Sequence, residues 1–323
     1  MKRIGLIGAG QLGSRHLQSL VSLGPCAEIF VVEPNGDAIE TAAIRVAEVA
    51  QSLTQSSIAH FSESMASLPE KLDFCIVATG AKSRYSLFEQ IVQQVEVKNF
   101  LLEKVLFQDL ASYEHARHLV KDHHLKVWVN CPRRLFRGYA RLKMYMQQDI
   151  AWKMSVTGGQ WGLACNAIHF IDLFAFLTER VLERVDCGEL HQKLFESQRA
   201  DYIEFNGTLQ AYFDRGHQLS MSCEETDEPV EIRLQSEQTQ IIIREDLDKA
   251  TILKKGQDSV HIPISPRYQS ELTGGVVQNI LSFGCCKLPT IQESSQLHYP
   301  LIRDLLSFYR DTSGDQQEFL PIT

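Results

Sequence analysis

No run of Lys or Arg in this 323-residue chain is longer than two, and the formal net charge is −8. Such a surface repels a phosphate backbone, so nucleic acid is not an expected partner. An anionic small molecule stays open, because a local pocket can oppose the global sign. No apolar stretch approaches the ~18 residues that a membrane-crossing helix needs, and no membrane association is expected. The apolar run at the N-terminus stops at Gly8 and is followed by Gln11, Arg15 and His16, too soon for a signal-peptide core. Eight cysteines are present, at 26, 75, 131, 165, 187, 223, 285 and 286, yet no two stand in C-x-x-C spacing. That removes the usual zinc and redox signatures, and no metal is expected. Cys26 and Cys75 lie in apolar runs, where a reduced thiol acts as a small hydrophobe, so a reducing cytoplasm is the expected compartment. Repeats and low-complexity tracts are lacking too.

What remains is ordinary for a globular chain: 44% hydrophobic and 22% charged residues. The length suggests two domains at roughly 150 residues each. Up to residue 122, short apolar strands alternate with amphipathic helices. Strands are expected at 3–7, 28–33, 74–79, 99–103 and 126–129, with helices at 11–22, 37–52, 83–95 and 110–123. Continuous apolar strands separated by helices indicate a doubly wound parallel sheet covered on both faces. Beyond that point a helix at 166–178 precedes strand-like segments at 201–213, 218–224, 230–235, 240–245 and 251–254, then helices at 268–283 and 291–310. Short segments between turn signals read as an antiparallel meander. The expected fold is therefore α/β, with one domain over 1–122 and a second over 123–323. The last helix is the element most apt to pack back on the first domain.

Gly8-Ala9-Gly10-Gln11-Leu12-Gly13 is a G-x-G-x-x-G turn between the first strand and the first helix. In that context Gly8 permits the tight turn, Gly10 lets a pyrophosphate approach, and Gly13 lets helix and strand close up. The helix N-terminus then offers N–H groups and partial positive charge, which makes this a Rossmann dinucleotide site. Glu33 lies twenty residues past Gly13, at the tip of the second strand. A carboxylate there accepts the adenosine ribose hydroxyls and repels a 2′-phosphate, so NAD is expected rather than NADP. Ala78 and Thr79 end the strand after Asp73 with small residues that leave room for cofactor. Glu103 and Lys104 end the next strand at the same rim, where they are either a solvated pair or groups facing the cofactor and substrate. His169 and Asp172, three apart, share one side of an apolar helix. The histidine is either a satisfied core residue or a general acid/base.

In this order the pieces resemble the glucose–fructose oxidoreductase, inositol dehydrogenase and rhizopine-catabolism family, Gfo/Idh/MocA, over nearly the whole chain. Gly8-x-Gly10-x-x-Gly13-x-x-His16 is similar to its cofactor signature, and Ala78-Thr79 to its A-T-P turn. Glu103-Lys104 is similar to its E-K-P motif, and Asn166-x-x-His169-x-x-Asp172 to the helix bearing its catalytic histidine. The resemblance implies a second domain with a large, mostly antiparallel open sheet through which a homodimer or homotetramer forms. It also implies hydride transfer between NAD(P) and a sugar-like hydroxyl, with Lys104 polarising the reacting oxygen and His169 exchanging its proton. Val105 and Gly80 stand where the family has proline, and Cys165 where many members have aspartate; Asn166 or Asp172 would then support the histidine. Arg133, Arg134 and Tyr268 join Asn166 as substrate candidates, since arginines bind carboxylate or phosphate well. The segments around Arg133-Arg134 and Trp161–Asn166 resemble a subgroup of surface-polysaccharide pathways, which points to a sugar, sugar acid or nucleotide sugar. The competing reading is a catalytically inactive dinucleotide-binding regulator or scaffold on the same fold.

Overall fold

The chain begins by alternating strand and helix, as a computed structural model describing residues 1–146 and 150–323 shows. In order come β1 (Lys2–Ile7), α1 (Gln11–Val21), β2 (Ala27–Val32), α2 (Gly36–Ala50), β3 (Ile58–Ser62) and β4 (Phe74–Val77). Then follow α3 (Ala81–Gln94), β5 (Asn99–Leu102), α4 (Leu110–Asp122), β6 (Lys126–Val129), α5 (Arg137–Leu142), β7 (Lys153–Gly159) and α6 (Leu163–Thr178). The remainder is β8 (Leu182–Leu190), β9 (Phe195–Glu196), β10 (Ile203–Glu204), β11 (Gly207–Phe213), β12 (Gln218–Glu224), β13 (Glu231–Gln235), β14 (Thr239–Arg244), β15 (Lys249–Lys254), β16 (Val260–Ile262), α7 (Gln269–Phe283) and α8 (Ile291–Ser313).

The first sheet is parallel, in the order β3-β2-β1-β4-β5-β6. Its winding reverses between β1 and β4, and the carboxyl ends of the strands there form the ligand crevice of open α/β sheets. β4 is buried at every position and β1 at its last four, which explains their unbroken apolar sequence. β3 was not expected. It is an edge strand with no buried residue, and Ile58 is 56% exposed, so it carries no apolar run to announce it.

Two compact units divide the chain. One comprises Met1–Phe107, Ala111–Pro132 and Arg267–Gln292; the other Gln108–Leu110, Arg133–Pro266 and Glu293–Thr323. A break after residue 122 would cut off β6, which pairs with β5 from Asn99–Lys126 to Leu102–Val129. α7 belongs to the first unit, and α8 from Glu293 onward to the second. Gly274 of α7 sits so close to α1 that an added Cβ would meet the Ser19 carbonyl oxygen at 2.7 Å, and its N–H donates to Ser19 Oγ at 2.8 Å.

In the second unit the sheet runs β16-β15-β14-β13-β7-β12-β11-β8. Neighbours are antiparallel except β7 and β12. Alternation gives one apolar face, with Met154, Val156, Leu219, Met221, Ile232, Leu234, Ile241 and Ile243 buried. α6 packs on β12, and its Phe174 meets Phe213 edge-on at 5.1 Å. The opposite face bears Ser155, Thr157, Ser220 and Arg233, none of them buried. β7 and β8 were missed because glycines and charges interrupt them; an added Cβ on Gly159 would lie 1.7 Å from the Thr226 carbonyl oxygen. The segment expected as one strand over 201–213 breaks into β10 and β11 before Gly207, whose φ is +100°. Among the described residues no helix is long and apolar enough to cross a membrane.

Candidate functional site

The glycine turn is built for close backbone approach. Gly8 has φ +90°, a left-handed conformation, and its N–H donates to the Val32 carbonyl at 2.9 Å. An added Cβ there would lie 3.1 Å from the Ala78 carbonyl carbon and the Thr79 nitrogen. One on Gly13 would fall 2.0 Å from the Gly8 carbonyl oxygen. Gly10 differs: its Cβ would meet nothing within 4 Å. It is the N-cap of α1, no side chain caps that helix, and no acid sits in its first turn. The first-turn N–H groups of α1 are thus left without a side-chain cap at the positive end of the helix.

Glu33 joins this turn. Its carboxylate accepts from the Ala9 N–H at 2.7 Å and the Asn35 N–H at 3.0 Å, which leaves about half of its lone-pair positions for another donor. Gln11 is braced from α2 by Arg45, whose Nη2 donates to Gln11 Oε1 at 2.8 Å.

At the carboxyl ends of β4, β5 and β6, Ala78 and Thr79 lie beside the glycine turn, and Glu103 anchors a buried polar network. Glu103 Oε1 pairs with His16 Nε2 at 2.8 Å and accepts from Asn130 Nδ2 at 2.5 Å. His16 Nδ1 meets Thr273 Oγ1 at 2.8 Å. Gln269 closes the loop, accepting from Asn130 at 2.8 Å and donating to Thr273 at 2.7 Å. Burial alone would favour the neutral acid. The His16 hydrogen bond and charge, the Arg84 charge and the Asn130 amide outweigh it, and the Glu103 carboxyl is held below the usual range. Glu103 thereby ties the helix of the glycine turn to the strand that ends in Lys104. Lys104 is half-buried, its N–H donates to Glu103 Oε2 at 3.3 Å, and its peptide bond to Val105 is cis. Asn130, Gln269, Thr273 and Arg84 were not anticipated. Gln269 and Thr273 lie about 250 residues from His16, and nothing local marks such a partnership.

In the second unit His169 is half-buried on α6, and its neighbours are fixed on two sides. Arg134 grips Asp172 in a bidentate pair, Nε–Oδ2 2.9 Å and Nη2–Oδ1 2.7 Å. Burial pushes the Asp172 carboxyl up to about 6, against Arg134 and with a further push from Glu293, so the pair is ionic at neutral pH. Arg133 forms a second bidentate pair, with Glu245 at 2.9 and 2.8 Å, and lies 4.4 Å over the Phe170 ring. The buried Tyr139 hydroxyl donates to Glu245 Oε1 at 2.5 Å; burial and Glu245 raise its pKa and keep its proton on. Asn166 Nδ2 donates to the Trp161 carbonyl at 2.7 Å. Of the four side chains expected to meet substrate, three therefore hold protein groups. The fourth, Tyr268 in the first unit, is 81% exposed just before α7.

Residues 2–131 match the model of an oxidoreductase family with an NAD-binding Rossmann fold, Gfo/Idh/MocA. The match spans β1 to β6, the strands of the first sheet. Solved structures share its fold over almost the full length. A UDP-N-acetylglucosamine 3-dehydrogenase from Acidithiobacillus ferrooxidans is 16% identical, with TM-score 0.70 over 94% of this chain and 95% of its own. An oxidoreductase from Agrobacterium radiobacter, solved with NAD+, L-tartaric acid and magnesium, is 13% identical, with TM-score 0.70 over 96% and 97%. A dehydrogenase from Chromobacterium violaceum is 15% identical, with TM-score 0.70 over 97% and 96%. At these identities the likeness establishes the fold alone. No curated protein sequence matches the chain. Within this matched segment the glycine turn fits a dinucleotide: open space at Gly10, uncapped N–H groups at α1, and the Glu33 carboxylate at the same turn.

Proposed function

We propose that this chain is a Gfo/Idh/MocA-type, NAD(H)-dependent dehydrogenase or reductase acting on a hydroxyl or carbonyl of a sugar, sugar acid or nucleotide sugar. The observation that carries the cofactor choice is the Glu33 carboxylate seated on the glycine turn, 2.7 Å from the Ala9 nitrogen. Its remaining lone pairs would take the adenosine ribose hydroxyls, and its charge opposes a 2′-phosphate. The bound nicotinamide would take or give the hydride. Lys104 would hold and polarise the reacting oxygen, and His169 would carry the proton that leaves or enters it. Asp172 would serve this step by holding Arg134 and the α6 backbone rather than by meeting substrate. The UDP-sugar activity named for the Acidithiobacillus protein supports nucleotide sugars as the first substrates to try. Assembly as a homodimer or homotetramer through the open face of the second sheet belongs to the same reading.

The test has two stages. NADH and NADPH are titrated by fluorescence into wild type and Glu33→Gln; NADH should bind at least about tenfold tighter, and the variant should narrow the gap. UDP-N-acetylglucosamine, other nucleotide sugars and sugar acids are then screened with NAD by absorbance. With any substrate found, Lys104→Met and His169→Gln should each lower turnover by roughly 100-fold or more with NADH affinity kept. An absence of saturable NADH binding, or variants that turn over like wild type, refutes the proposal.

A further inference from the structure

Arg84 occupies a position that helix periodicity assigns to an apolar side chain. It shares the buried face of α3 with Phe88 and Ile91, at spacings of four and seven, and is 1% exposed. Its guanidinium donates to three backbone carbonyls from two loops: Thr79 after β4, and Val105 and Leu106 after β5, the last at 3.0 Å. Lys104 immediately precedes the two carbonyls after β5. For stability alone a buried cation is a poor device, because a hydrophobe of similar volume in its place is often neutral or better. A rigid fork of five donors, by contrast, can hold several carbonyls in one fixed arrangement, which a flexible ammonium cannot.

We propose that Arg84 is a positioning residue for Lys104, locking residues 104–106 against the Thr79 turn so that the ammonium is presented at one place on the rim of the first sheet. The proposal rests on the reading of Lys104 as a group that faces the reaction. Neither loop has another anchor of this kind in its sequence, since Gly80 and Val105 impose no fixed φ. Arg84 also places its charge near Glu103, the residue that links Lys104 to the glycine turn through His16.

The test is a labelling experiment that needs no substrate. Wild type, Arg84→Met and Arg84→Lys are treated with an acetylating ester and, separately, with iodoacetamide; peptide mass spectrometry reads acetylation at Lys104 and alkylation at the buried Cys75. In Arg84→Met, Lys104 should acetylate at least fivefold faster with Cys75 still protected. In Arg84→Lys the rise should be smaller but measurable, and this variant decides the matter if the methionine variant does not fold. An unchanged Lys104 rate, or a rise that comes only together with Cys75 exposure, overturns the proposal. Once a substrate is found, Arg84→Lys should lower turnover in wild type but cause no further loss in a Lys104→Met background. Additive losses would show that Arg84 acts elsewhere. Should Lys104→Met leave turnover unchanged, the catalytic reading of Lys104 is what fails, whereas the labelling result bears on the positioning alone.

Discussion

Two alanine substitutions one turn of helix apart should fail in opposite ways. At Gly13 the new methyl would lie 2.0 Å from the Gly8 carbonyl oxygen and 2.8 Å from its carbon, both backbone atoms of the turn itself. No rotamer change relieves that contact, so β1 and α1 must move apart by about an ångström. Overpacking of this kind costs about 1–3 kcal/mol, and it also distorts the cradle. At Gly10 the methyl meets nothing within 4 Å, and the backbone, with φ −59° and ψ −160°, admits a side chain. Alanine for glycine at an N-cap should cost less than about 1 kcal/mol. The methyl nonetheless projects where a pyrophosphate must come close to the α1 N–H groups. Gly10→Ala should therefore melt within a few degrees of wild type yet bind NADH at least tenfold more weakly, about 1.4 kcal/mol. Gly13→Ala should lower the melting temperature and speed hydrogen exchange in β1 and α1. Thermal melts, exchange and NADH titration on the three proteins settle the point. A Gly10→Ala protein that binds NADH like wild type refutes the placement of the diphosphate. A Gly13→Ala protein as stable as wild type refutes the contact that underlies the turn.

Two pH dependences follow from the buried acids. Glu103 is held below its unfolded value near 4.5, so its stabilising effect is present above that value and is lost as pH falls through the lower folded one. In denaturant titrations the stability gap between wild type and Glu103→Gln should therefore narrow only below about pH 4.5; a gap constant down to about pH 3 would contradict the charged network. Asp172 has the opposite sign: its folded value of about 6 lies above the unfolded 3.8, so the folded state binds the proton more readily. Relative to Asp172→Asn, wild type should lose about 3 kcal/mol of stability as pH rises through that window, with no further change above it. A difference that grows with pH instead would mean that Arg134 more than offsets the burial.

What the sequence made legible was what the backbone requires. Gly8 and Gly13 sit where a Cβ would strike Ala78, Thr79 or the turn itself, so the geometry dictates glycine and the motif can be read. Strands buried on both faces, such as Phe74–Val77, are apolar at every position and equally visible. β3, β7 and β8 escaped notice because an edge position or one polar face removes that run. Arg84 escaped for a different reason. Helical spacing marks its position as buried but says nothing of which carbonyls a buried guanidinium will find. Asn130 reaches Glu103 from the end of the neighbouring strand β6, whereas Gln269 and Thr273 meet Asn130 and His16 because α7 returns to α1, a contact enabled by Gly274 and without a local signature.

Arg133 and Arg134 show how adjacency in sequence misleads about chemistry. Two neighbouring arginines suggest one anion claw, but the turn that carries them sends them to separate carboxylates, Glu245 and Asp172. Each guanidinium spends its fork on a bidentate pair, and each pair is neutral as a whole. A substrate carboxylate or phosphate could reach Arg134 only by displacing Asp172, which would then remain buried without its partner, a change that costs several kcal/mol, and could reach Arg133 only by competing with the partly exposed Glu245. An acidic sugar therefore gains nothing from these two residues over a neutral one. What they do instead is hold Phe170 and Asp172, the positions one and three beyond His169, so that the histidine's helix is fixed by a cation–ring contact and an ion pair. Any recognition of negative charge on a substrate must come from groups other than these two arginines.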